Sequence, residues 1–138
     1  MARARISAEV GVPAFRAALA AVSVDSGGVD GSDRPAADRT TMATAVRYSL
    51  QRLAERAEGN TVEVRVPPYG AVQCIPGPRH TRGTPPNVVE MDPTTWIELA
   101  SGRLAWSQAM EAARVHASGT RADLSAELPI RDLAGAGS

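Results

Sequence analysis

The side chains best equipped for chemistry are His80, His116, Cys74 and the cluster Arg79-His80-Thr81-Arg82-Gly83. A histidine can ligate a metal or carry a proton. A zinc site, however, needs several ligands together, and no Asp, Glu or Cys stands at ligand spacing from His80. His116 alternates with Val115 and Ala117, which puts it on the wet face of a strand. Cys74 falls at an inward strand position without a basic neighbour in sequence, so it reads as a small hydrophobe and not as a nucleophile. An enzyme built on Arg79, His80 and Glu90 is the weakest reading, because no activated nucleophile or paired acid and base accompanies them. Gly77 and Gly83 lack the spacing and strand-to-helix context of a phosphate-binding loop. No catalytic residue, metal or cofactor is expected.

The two arginines of the cluster are harder to set aside. A guanidinium donates two parallel hydrogen bonds, so Arg79 and Arg82 could hold a carboxylate or phosphate with help from backbone amides near Gly83. A solvated loop tip explains them equally well. The other candidates are apolar. Between Met91 and Leu128 the sequence sets Trp96, Leu99, Leu104, Trp106 and Met110 among helix stops and starts. With Val64, Val72 and Val115 from the flanking strands, they could line a pocket for an apolar ligand. Taken singly, each is better explained as core.

These residues need elements to position them. Ser7 and Glu9 can cap a first helix near Pro13–Val22, with Phe15, Leu19 and Val22 along one side. A polar, glycine-rich connector covers Ser23–Arg34. From Pro35 or Asp38 to Ala57, apolar residues recur at three- and four-residue steps (Met42, Ala45, Val46, Ser49, Leu50, Leu53), the pattern of an amphipathic helix. Arg39, Arg47, Arg52, Glu55 and Arg56 fall mostly off that stripe. The period then changes to two. Thr61–Val66 is a strand with one wet face, and Pro67, Pro68 and Gly70 turn it into an antiparallel partner, Ala71–Ile75, with Val72 and Cys74 inward. After a loop rich in proline and glycine, Asn87–Met91 is a third strand. Asp92 and Pro93 open a helix ended by Gly102. A short helix at Ser107–Ala112, a strand at Arg114–Ala117 and a last helix capped by Thr120 and Asp123 and ended by Pro129 complete the chain.

Composition narrows the class. At 138 residues, the chain suits one domain able to bury a core. All fifteen basic residues are arginine, which points to a GC-rich, actinobacterial type of coding bias before any functional cause. A net charge of zero without a basic run argues against nucleic acid. No apolar stretch approaches the roughly 20 residues of a membrane span. One cysteine, and only a broken approximation to a leader segment at Arg3 to Arg16, favour the cytoplasm.

In this order, the elements resemble the sterol carrier protein type two family over roughly residues 38 to 128. The resemblance rests on Gly102-Arg103, Ala109-Met110, Arg114-Val115-His116 and Gly119 at the family's spacing, preceded by Asp92-Pro93-Thr94-Thr95-Trp96. Ala113 departs from the pattern, standing where the family usually has glycine. The resemblance implies an α+β fold, a largely antiparallel sheet of four to five strands with helices on one face. It also implies a non-catalytic carrier holding a fatty-acyl or other lipid ligand between sheet and helices. Residues 1–34 would be an N-terminal helix and connector, 35–130 the carrier-like domain and 131–138 a disordered tail. A similar domain forms the C-terminal part of mycothiol-dependent maleylpyruvate isomerase relatives. The alternative is therefore an accessory protein-interaction domain with a filled core, partnering a separate enzyme or a second copy of itself.

Overall fold

The computed structural model describes residues 4–26, 38–77, 87–131 and 133. The elements run α1 (Ala8–Ser26), α2 (Arg39–Arg56), β1 (Val62–Val66), β2 (Gly70–Cys74), β3 (Asn87–Met91), α3 (Pro93–Ser101), α4 (Trp106–Glu111), β4 (Val115–Ser118) and one 3-10 turn (Ser125–Glu127). The four strands form one sheet in the order β2-β1-β3-β4. Its outer pairs are antiparallel and the central pair, β1 with β3, is parallel. The sheet is thus mixed: the hairpin occupies one edge of β1, and the chain returns to pair along the other. The protein is an α+β fold.

Alternation along each strand decides what the helices cover. Val62, Val64 and Val66 of β1, Val89 and Met91 of β3 and Cys74 of β2 are buried on one side. Glu63, Arg65 and Glu90 share the other, where Arg65 Nε pairs with Glu63 at 3.2 Å. The buried side meets α2, on which α1 and α3 pack, so the core lies between sheet and helices. Asp38 caps α2 by accepting from the Thr41 amide at 2.7 Å, and Asp92 caps α3 through the Thr95 amide at 2.8 Å. The expected stripe of α2 is buried at Ala45, Val46, Ser49, Leu50 and Leu53. Tyr48, off that stripe, is buried as well because α1 packs over it.

Among the boundaries that differ from the sequence reading, four have a local reason. Helix α1 begins at Ala8, before Pro13, because Ser7 accepts from the Val10 and Gly11 amides and Gly11 seats directly on the Tyr48 ring. Strand β2 ends at Cys74, since Ile75 turns to φ 74°. Its N–H donates to Ala57 at 2.6 Å and its carbonyl accepts from Thr61 at 3.1 Å, tying the end of α2 to the hairpin. Strand β4 begins at Val115 because the Arg114 amide closes α4 by donating to the Ala109 carbonyl at 2.9 Å. The expected closing helix is a single 3-10 turn, with Asp123 accepting from the Ser125 amide at 2.8 Å. Ala122 and Leu124 are buried two residues apart, an extended spacing, and Pro129 holds Leu128 extended at ψ 146°.

Candidate functional site

Helix α3 ends where the site begins. Gly102 adopts the left-handed conformation (φ 92°) that lets the chain reverse, and its N–H donates to Leu99 at 3.2 Å. A side chain there would also crowd Pro129, whose Cβ lies 3.3 Å from where a Gly102 Cβ would stand. The next residues, Leu104 and Ala105, lead into α4, whose first turn is held by Gln108 Oε1 accepting from the Ala105 amide at 3.0 Å. The C-terminal segment is pinned alongside, the Ile130 amide donating to the Ala100 carbonyl at 2.9 Å.

Together these segments enclose an open groove of about 500 Å³. Leu99, 1% exposed, forms its floor, and the half-buried Leu104, Trp106 and Leu128 form its walls. Ser107 and Ser125 supply the polar rim, and no charged side chain lines it among the described residues. Such a surface excludes water from an apolar body and offers hydroxyls to a polar end.

Of the residues singled out from sequence, Leu99, Leu104 and Trp106 meet in this groove. The others are dispersed. Val64 and Trp96 are fully buried in the central core, where Trp96 Nε1 donates to Ser49 Oγ at 2.7 Å. Val72 faces a second groove beside α2, about 380 Å³ in volume. Met110, 41% exposed, and Val115 border a shallow depression beside His116 and Val88. Arg79, Arg82 and His80 lie outside the described residues.

The titratable groups give no catalytic constellation among the described residues. Burial pushes the Cys74 thiol up to about 11, keeping it protonated near neutrality. Arg114 is engaged structurally: Nη2 donates to Glu98 at 2.6 Å and Nε to Thr95 Oγ1 at 3.1 Å, clamping the start of β4 to α3. His116 is exposed on the uncovered face of the sheet, across from Glu90 in the β3–β4 register. No group of three or more His, Cys, Asp or Glu among the described residues could hold a metal ion.

Sequence reasoning missed Leu128, Ser125 and Pro129 as groove residues. The signal lay in Gly102 and Pro129, both legible as helix stops. That the two stops touch follows only from the path of the chain after β4.

Residues 38–130 match the model of a family described as bacterial SCP ortholog. No curated protein matches the chain.

Proposed function

The chain belongs to the bacterial SCP ortholog family, and from that premise we propose that it binds a fatty-acyl or comparable lipid in the groove of Leu99, Leu104, Trp106 and Leu128. The family suggests a lipid-carrier type of domain, and such domains are generally non-catalytic. No helix among the described residues is long and apolar enough to cross a membrane. One observation carries the reading: three large apolar side chains remain half-buried around a groove with no charged lining among the described residues, although Leu50, Leu53 and Leu124 are buried. Covering such surface with an acyl chain gains about 25 cal/mol per Å² of apolar area removed from water. The anionic head of the ligand would need donors, and Arg79 and Arg82 are our candidates for them.

The test is a titration of the full-length protein with palmitate, followed by tryptophan fluorescence, beside native mass spectrometry and lipid extraction of the purified protein. Emission from Trp106 should shift on binding, and Trp106→Ala should weaken binding without abolishing the fold. Arg79→Ala with Arg82→Ala should weaken palmitate binding and leave the melting temperature nearly unchanged. Absence of both a co-purifying lipid and a fluorescence response would sink the carrier reading.

A second reading has its own support. The space between sheet and helices is occupied by side chains that are 0–1% exposed: Val62, Val64, Val66, Val89, Trp96 and Leu53. A filled core suits an accessory domain, for which the groove would receive a partner protein's apolar side chain. A pull-down of one enzyme that Trp106→Ala abolishes, with no lipid response, would favour this alternative.

A further inference from the structure

The groove beside Val72 carries a charged side chain, which the one beside Trp106 lacks among the described residues. It lies between the N-terminal segment, α2 and β2, the edge strand of the sheet. Leu50, 1% exposed, is its floor, and Ile6 and Val72 are half-buried at its sides. Gly70 keeps it open, because it places no side chain over Leu50; a Cβ there would stand 3.5 Å from Leu50 Cδ1. The Gln51 amide is engaged within the wall, accepting from the Ile6 amide and donating to the Ile6 carbonyl, each at 2.8 Å. This fastens the N-terminal segment to α2.

Arg47 is the one charged residue lining this groove among the described residues. Its Nε donates to the Tyr69 carbonyl at 2.9 Å, which fixes the plane of the guanidinium against the start of β2. Arg5, Arg52, Arg65 and Arg114 each meet a glutamate at 2.6–3.2 Å. Arg47 makes no ion pair among the described residues, and no acidic residue lines the groove. A guanidinium anchored through Nε still presents its two Nη groups as a fork, the geometry that takes a carboxylate end-on. One cation with no acidic neighbour in the groove among the described residues matches one negative charge.

We propose that this groove is a second binding site, taking a monoanionic amphiphile: a carboxylate on the Nη fork of Arg47 and a medium-length apolar body against Leu50, Ile6 and Val72. The inference does not depend on the lipid reading of the Trp106 groove, since the two share no residue.

The experiment is a ¹⁵N-HSQC titration of the full-length protein with decanoate and, separately, with decanol. Decanoate should move the amides of Gly70, Ala71 and Val72 and of Leu50 and Gln51, and bind more tightly than decanol at those amides. Arg47→Gln should weaken decanoate about tenfold while leaving decanol unchanged, the cost of one charge-assisted contact. Arg47→Lys should recover part of the loss, and Trp106→Ala should change nothing at these amides. If Arg47→Gln does not fold, the decanoate-to-decanol ratio on the unaltered protein decides. Shifts confined to Gly102–Trp106, or equal affinity for the acid and the alcohol at β2, would overturn the proposal while leaving the lipid reading intact.

Discussion

Trp96 of α3 and Ser49 of α2 are joined at the centre of the core. The indole Nε1 donates to the serine Oγ at 2.7 Å, and that hydroxyl donates onward to the Ala45 carbonyl at 2.7 Å. Both residues are 0% exposed. The largest buried side chain of the protein therefore has its one polar group satisfied, and α3 is set in register against α2. A ligand reaching Trp96 would have to displace this packing, whereas Trp106 is already at a surface.

Ser49→Ala should leave the Trp96 N–H buried without an acceptor. The expected cost is about 1–3 kcal/mol in urea unfolding, with palmitate affinity unchanged. A variant as stable as the parent would mean that the indole finds another acceptor.

Ala113→Gly should stabilise the protein. Ala113 follows α4 at φ 57°, with its N–H donating to Met110 at 3.1 Å and the next amide donating to Ala109 at 2.9 Å. These two bonds define a helix end whose left-handed residue is ordinarily glycine. An L-residue pays roughly 1–2 kcal/mol for that conformation, and the flexibility of glycine gives back about half of the gain. A rise in melting temperature is expected, and a fall would show that the Ala113 methyl makes a compensating contact.

Gly11→Ala should destabilise despite the better helix propensity of alanine. The new methyl would occupy the space of the Tyr48 ring. Overpacking of this kind costs about 1–3 kcal/mol, against a propensity gain of about 1 kcal/mol. Adding Tyr48→Leu should recover part of the loss in denaturant unfolding. No recovery would place the strain elsewhere.

Stability should decline in alkali through Cys74. Its folded thiol ionises at about 11, above its ordinary value near 9, because burial disfavours the thiolate. Below about pH 9 both states keep the proton and the thiol contributes nothing pH-dependent. Between about 9 and 11 the unfolded state loses it first, so unfolding is favoured as pH rises. Cys74→Ala should flatten that part of the stability–pH profile, and iodoacetamide should label Cys74 slowly until the protein unfolds. Rapid labelling of the folded protein would contradict this burial.

Local periodicity made most of the fold legible. The α2 stripe, the alternation of β1 and the Asp92-Pro93 start are each set by neighbours within a few residues, where backbone geometry repeats. The Ala113 departure was also visible, as a residue out of keeping with a family pattern. Its meaning, a left-handed helix end occupied by alanine, needed the backbone angles. The closing segment misled because Thr120 and Asp123 mimic a helix cap, whereas the burial of Ala122, Leu124 and Ile130 draws that segment out along α3.

The sequence by itself determined which residues are apolar, where helices start and stop, and that the chain belongs among α+β carrier-like domains. Only the tertiary structure decided which apolar residues become core and which become groove. Trp96 and Trp106 have equal hydrophobicity and stand ten residues apart on successive helices, yet one is sealed against Ser49 and the other lines an opening. The difference comes from long-range contacts: α2 meets Trp96, while the Leu128–Pro129 segment only partly covers Trp106. Such contacts carry no periodic signal, because they depend on where distant parts of the chain arrive.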